Sequence, residues 1–261
     1  LLANEKPAEI VILDNMSRGT TRNLENALKD ERVKLIQGDI RDKDLVYKVT
    51  EGMDAVIHMA AIRITACAAD PREAMEVMND GTFNVVDAAH KAGVKKVLAA
   101  SSASILGLAD SFPTREDHHP YNNRTWYGAS KIMLEGLLRS YNDMYGLNYV
   151  AMRYFNVYGP RMDVEGKYTE VLVRWVQRIN QGIPPLILGD GTTSMDFIYI
   201  EDLARANVLG LKSDATDEVF HIASGVLVPM VLGLMISYVV IRCSPSRKPR
   251  VRTTSDRKSV V

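Results

Sequence analysis

Tyr127 and Lys131 stand four residues apart in Thr125 to Tyr145, a stretch of helical period closed by Gly146. That spacing puts the phenol and the ammonium on one helical face, a turn apart. A free phenol ionises near pH ~10, so a tyrosine that takes a proton at neutral pH needs that value lowered, and a nearby cation lowers it by favouring phenolate. The pair is therefore equipped to take a proton from a hydroxyl. Upstream, Ala100-Ser101-Ser102-Ala103-Ser104-Ile105-Leu106-Gly107 follows a β-rich run and supplies hydroxyls that can hold the same group. A lone Tyr-x-x-x-Lys arises often by chance. This one gains weight from its place between the serine-rich strand end and Arg153-Tyr154-Phe155-Asn156-Val157-Tyr158-Gly159-Pro160-Arg161. Asp14 ends another such run, where a carboxylate either caps a turn or accepts both hydroxyls of a ribose. His58, inside an apolar run, reads as a satisfied core histidine.

These residues need a scaffold, and its pattern is plain. Ile10 to Leu13, Val33 to Ile36, Ala55 to His58, Lys96 to Ala99 and Tyr149 to Met152 are β-rich runs separated by stretches of helical period. Such alternation predicts an α/β fold, a doubly wound parallel sheet with helices on both faces. Asp70-Pro71 opens one helix and Gly93 closes it, with Ala74, Val77, Phe83, Val86 and Ala89 as its apolar face. The pattern predicts one domain over 1–160, incomplete at its N-terminus, and a small second lobe over 161–225, partly interleaved with it. In that lobe a helix is expected near Thr169 to Gln181, then a Gly182-Ile183-Pro184-Pro185 break and a Gly189-Asp190-Gly191 turn. Residues 226–261 are atypical: Val226 to Ile241 is apolar apart from one serine, and the remainder is basic. That tail reads as a changed reading frame, a membrane anchor or a buried helix; the anchor reading is disfavoured by its short length, Pro229 and Gly233.

With 32 basic and 32 acidic residues among 261, the chain has no net charge and lacks the basic face a nucleic-acid partner requires. Its two cysteines, Cys67 and Cys243, form no metal-binding or disulfide pattern, so no metal and a cytoplasmic setting are expected. The first residues, Leu1-Leu2-Ala3-Asn4, have neither an initiating Met nor a signal-peptide layout, and read as the middle of an element.

From about Glu9 to Gly225 the chain resembles the extended short-chain dehydrogenase/reductase family, in its nucleotide-sugar epimerase/dehydratase branch. The segments that carry the likeness are Val11-Ile12-Leu13-Asp14-Asn15, Gly38-Asp39-Ile40, Val56-Ile57-His58-Met59-Ala60-Ala61, Ala100 to Gly107, Tyr127-Gly128-Ala129-Ser130-Lys131 and Arg153 to Arg161. The resemblance implies NAD as cofactor, held by Asp14, Asn15, Ser17, Arg18, Gly19, Asp39, Ile40, Met59, Ala60, Ala61, Arg63, Tyr127, Lys131 and Phe155. An aspartate at position 14 favours NAD over NADP, because a 2′-phosphate would meet a negative charge. It implies Tyr127 as general base, Ser102 as partner of the sugar hydroxyl, Lys131 as grip on the nicotinamide ribose, and Ser102, Tyr127 and Asn156 as substrate contacts.

Dehydratases of this branch carry Asp-Glu where this chain has Ala103-Ser104, so the implied reaction is 4-epimerisation of a UDP-hexose through a 4-keto intermediate. Another NAD-dependent sugar-nucleotide oxidoreductase or decarboxylase, or a non-catalytic fragment, is the alternative. Three departures stand out. Met195 replaces an arginine that binds the substrate diphosphate in many relatives, Leu106 replaces a usual tyrosine, and no first strand with GxxGxxG is found. In a 3-2-1-4-5-6 strand order the missing strand would be central, so its neighbours are expected to keep unpaired edges. Relatives commonly pair as homodimers through two helices, here the one bearing Tyr127 and the one starting at Pro71.

Overall fold

The computed structural model of the chain describes residues 1–162, 171–187 and 190–229. The strands are β1 (Ile10–Asp14), β2 (Val33–Gln37), β3 (Ala55–His58), β4 (Lys96–Ser102), β5 (Tyr149–Tyr154), β6 (Asn156–Tyr158), β7 (Ser194–Tyr199), β8 (Glu218–Ile222) and β9 (Leu227–Pro229). The α-helices are α1 (Thr21–Leu24), α2 (Lys43–Thr50), α3 (Ile64–Ala69), α4 (Pro71–Met75), α5 (Thr82–Lys91), α6 (Trp126–Tyr145), α7 (Val171–Asn180) and α8 (Ile200–Lys212). The chain divides into two units. One comprises Leu1–Met162 and Asp196–Leu227, the other Asp163–Met195 and Val228–Val261.

In the first unit the main sheet has the order β3-β4-β5-β8, every pairing parallel. Its centre is buried on both faces, which explains the continuous apolar runs of β4 and β5. Because side chains alternate along a strand, Val97, Ala99, Tyr149 and Ala151 pack with Val86, Ala89, Leu134 and Leu138 of α5 and α6. Leu98, Val150 and Met152 point the other way and pack with Ile57, Leu211 and Ile222.

β1 and β2 form a separate parallel pair. Among the described residues β1 pairs only with β2 and β3 only with β4, as expected if a central strand is missing from this sequence. Leu13 of β1 and Val56 of β3 nevertheless share one apolar cluster with Ile40, Val46, Val77, Val85 and Ala88. Side-chain packing, not a backbone ladder, joins the two pairs.

The helix opened by Asp70 begins as the sequence indicates, the Asp70 carboxylate accepting the Arg72 and Glu73 N–H groups at 3.0 Å each. It is not uniform: Glu76–Gly81 forms a π-helical turn between α4 and α5. A π turn adds a residue and rotates the downstream face. Ala74, Val77, Val86 and Ala89 are buried as expected, but Phe83 is 44% exposed, its ring edge-on to Tyr141.

In the second unit α7 covers the expected helix from Val171 onward. Trp175 is buried and donates its indole N–H to Leu186 O at 2.9 Å, fastening the 182–187 turn. Gly189 and almost all of the apolar-then-basic tail lie outside the described residues. Among the described residues no helix is long and apolar enough to cross a membrane.

Candidate active site

Because the pairings within the sheets are parallel, Asp14, His58, Ser102 and Tyr154 all lie at C-terminal strand ends. In open α/β sheets that is the edge where ligands bind. The serine-rich segment turns directly from β4 into a 3-10 turn, Ala103–Leu106, whose Ser104 N–H and hydroxyl each lie 3.1 Å from Ser102 Oγ. Opposite it, Thr125 caps α6 by accepting the Gly128 N–H at 3.0 Å. Gly128 is dictated by space: a Cβ there would lie 2.1 Å from Asn123 Oδ1 and 2.8 Å from Ser104 O. Its absence lets the first turn of α6 close against the end of β4.

That approach brings the three predicted catalytic residues together. The Ser102 side chain is close enough to the Tyr127 phenol to favour its ionised form, and the Lys131 ammonium lies 5.8 Å from the centre of the Tyr127 ring. Lys131 is buried and donates to Ala100 O at 2.6 Å. Burial pushes the Lys131 pKa down to about 8. Burial also holds the Tyr127 phenol above its ordinary value, opposed by the hydrogen bond from Ser102. Within the chain's own residues desolvation thus outweighs the lowering by Ser102, so the phenol, not the phenolate expected beside Lys131, is favoured.

His58 is a core histidine as read: its Nε2 lies 3.1 Å from Thr82 Oγ1, and burial, with Lys131, lowers its pKa to about 3.

At the far end of the edge, Asp14 Oδ1 accepts the Met16 N–H at 2.7 Å. Gly19 passes so near the carboxylate that a Cβ would lie 3.1 Å from Oδ1. Asn15 and Asp39, predicted from separate strands, meet at 3.1 Å, while Asn15 Oδ1 accepts the Ser17 N–H. The Arg41 guanidinium beside Asp39 holds its carboxyl well below the usual range. Arg18 lies in the same turn, between Ser17 and Gly19. Ile40 is different: its side chain is buried in a cluster with Val46, Val77, Val85 and Ala88. Met59 and Ala61 are exposed beyond β3, Ala60 is half-buried, and Arg63 precedes α3. Phe155 stands edge-on to His221, 5.3 Å between centroids. Asn156 donates its amide to Asp196 O at 2.7 Å, the loop-organising role its residue type also permits.

Two groups were missed in the sequence. Glu135 continues the stripe of Tyr127 and Lys131 at the same four-residue spacing. Its carboxylate takes Arg153 in a fork at 2.9 and 2.8 Å, and accepts from Ser101 Oγ at 2.5 Å. The spacing was the signal for it. Asp196 is buried and gathers the Ser224 N–H, Ser224 hydroxyl and Gly225 N–H at 2.7 to 2.8 Å; nothing local announced it.

Residues 1–223 match the NAD dependent epimerase/dehydratase family. A UDP-glucose 4-epimerase of Mycolicibacterium smegmatis is 32% identical over 220 residues, 83% of this chain and 70% of that protein. A UDP-N-acetyl-alpha-D-glucosaminuronate decarboxylase of Bacillus cytotoxicus is 30% identical, over 82% of this chain and 67% of that one. Among solved structures, UDP-N-acetylglucosamine 4-epimerase from Methanobrevibacter ruminantium M1, in complex with UDP-N-acetylmuramic acid, superposes with a TM-score of 0.84 at 34% identity, covering 89% of this chain and 74% of that one. The Ser102, Tyr127 and Lys131 arrangement on a parallel sheet and the match across nearly all described residues agree: the chain belongs to the NAD dependent epimerase/dehydratase family.

Proposed function

We propose that the protein is a nucleotide-sugar 4-epimerase acting on a UDP-hexose. The observation that carries this reading is the composition of the β4 end. Ser102 stands with Tyr127 and Lys131, whereas Ala103 and Ser104 offer no carboxyl acid or base for eliminating water. Ser104 instead supports the Ser102 hydroxyl.

The residues fit NAD at both ends. The Asp14 carboxylate, cradled by the turn to Gly19, suits the two hydroxyls of the adenosine ribose. Lys131 gives one of its three N–H groups to Ala100 and keeps donors for the nicotinamide ribose. When bound, NAD would supply a reversible hydride acceptor, so that the sugar could pass through a 4-keto stage without net redox change. Tyr127 takes the proton of the 4-hydroxyl and later returns it. Ser102 holds that hydroxyl and shares its proton, and Lys131, fixed by Ala100, keeps positive charge near the phenolate. Glu135 and Arg153 anchor the β5 end beneath Phe155.

Pairing as a homodimer through α5 and α6 is part of this reading, supported by the exposure of Phe83, Met144 and Tyr145. The test is product analysis with UDP-glucose and with UDP-N-acetylglucosamine. An epimerase interconverts the 4-epimers with no net change in NADH absorbance. Net NADH, or release of carbon dioxide from a uronate substrate, would instead establish an oxidoreductase or a decarboxylase.

A further inference from the structure

The segment between β4 and α6 holds a second cluster that proton transfer at Tyr127 does not use. Among the described residues it is the one group of three or more histidine, cysteine and carboxylate side chains whose donor atoms lie close together: Asp110, His118 and His119, all within 4.8 Å of one another. His119 Nε2 lies 2.9 Å from Asp110 Oδ2, and His118 Nε2 lies 3.7 Å from the same oxygen.

The hydrogen bonds fix how His118 presents itself. Its Nδ1 lies 2.7 Å from His119 O, which can only accept, so Nδ1 carries the hydrogen. Its Nε2 faces the Asp110 N–H at 3.2 Å and is therefore the acceptor. A ring held by Nδ1–H to a backbone carbonyl keeps its lone pair on Nε2, as metal-ligating histidines commonly do; a metal ion there displaces the Asp110 N–H from His118 Nε2 and the proton that His119 Nε2 shares with Asp110 Oδ2. The carboxylate is oriented too. Asn122 donates to Asp110 Oδ1 at 2.8 Å and to Leu108 O at 2.7 Å, leaving Oδ2 toward the two rings. The Asn122 amide, with His119, holds the Asp110 carboxyl below its ordinary value. The His118 side chain is only 8% exposed, while Asp110 and His119 are open to solvent. Access and a buried anchor coexist.

We propose that Asp110, His118 and His119 bind a divalent transition-metal ion of the zinc class through one carboxylate oxygen and two Nε2 atoms, with water completing the shell. Two imidazoles select such an ion over magnesium or calcium, which prefer all-oxygen sites. Bound there, the ion ties residue 110 to residues 118 and 119 and braces the segment leading to Asn123 and Thr125, which cap the helix that carries Tyr127. The site lies outside the proton-transfer set and does not depend on which sugar is the substrate.

The test is to titrate the metal-depleted chain with Co²⁺ and follow its visible absorption, with Zn²⁺ as competitor. Cys243→Ser in every sample removes a thiolate that could supply the signal. The expected result is one ion per chain, displaced by Zn²⁺. Asn122→Ala, which removes the carboxylate's orienting group together with its bond to Leu108 O, should weaken binding by roughly 10- to 100-fold. His119→Ala, at an exposed position that leaves the fold intact by circular dichroism, should abolish the spectrum. Absence of a Co²⁺ spectrum in the parent, or an unchanged one in His119→Ala, would overturn the proposal and leave the cluster as a hydrogen-bonded loop brace.

Discussion

Changing Tyr127 to Phe removes a single oxygen from the site. The ring packs against Cys67, Ala74 and Met78, so its apolar contacts survive. The hydroxyl's partner, Ser102, keeps the Ser104 N–H and hydroxyl at 3.1 Å, so the change strands no buried hydroxyl. Stability should therefore shift by about 1 kcal/mol, the net worth of one hydrogen bond, or roughly 2–4 °C in Tm for a protein of this size. Catalysis should lose far more. A positioned acid–base group contributes roughly 100- to 10,000-fold, which at ~1.36 kcal/mol per decade is about 3–5.5 kcal/mol of barrier. The assay is kcat for interconversion of the 4-epimers, with bound NAD and thermal unfolding measured on the same preparation. The expected pattern is a kcat lower by about 100-fold or more, NAD retained and Tm nearly unchanged. A variant that folds, holds NAD and keeps more than about a tenth of parental kcat would refute Tyr127 as the base.

Asp14→Ala should weaken NAD binding by roughly 10- to 100-fold, from the loss of charge-assisted hydrogen bonds worth about 1.5–3 kcal/mol, without altering the product; titration calorimetry with NAD checks this. Glu135→Gln should lower stability by about 3–5 kcal/mol in urea denaturation, because it leaves the Arg153 guanidinium buried without its countercharge. The pKa of His58 is about 3 in the fold against 6.5 for the unfolded chain. As pH falls through 6.5 the unfolded chain takes up the proton first, so stability declines from there and levels off near pH 3. His58→Gln should remove up to ~1.36 kcal/mol per pH unit of that slope, seen as a flatter unfolding free energy between these limits.

Strand positions were readable because parallel strands buried on both faces need unbroken apolar runs; β3 falls on Ala55–His58 and β4 extends its run only to Ser102. The α/β class followed from the same reading; the pairing of Tyr127 with Lys131 followed from their four-residue spacing, and Ser102 was implied by the family resemblance. The unpaired edges of β1 and β3 were legible too, since the sequence has no strand followed by GxxGxxG to lie between them. β8 was not foreseen, because Glu218–Ile222 mixes charged and apolar residues instead of forming an apolar run, and its pairing with β5, far back in the chain, makes it a strand. Phe83 was misassigned because α5 buries Thr82, Val85, Val86 and Ala89 and leaves Phe83 at the margin of that face, edge-on to Tyr141. Asp196 and the Asp110, His118 and His119 cluster depend on backbone folding between positions, which spacing does not encode.

The central claim is inversion at C4, and proton NMR reads it directly. The chain, preceded by a family-type first strand and GxxGxxG turn, is loaded with NAD and incubated with UDP-glucose or UDP-N-acetylglucosamine. The H4 couplings then report the stereochemistry. The account predicts growth of the 4-epimer to equilibrium with no net NADH. Retention at C4 in both sugars with NAD bound, or product formed with stoichiometric NADH, would contradict it.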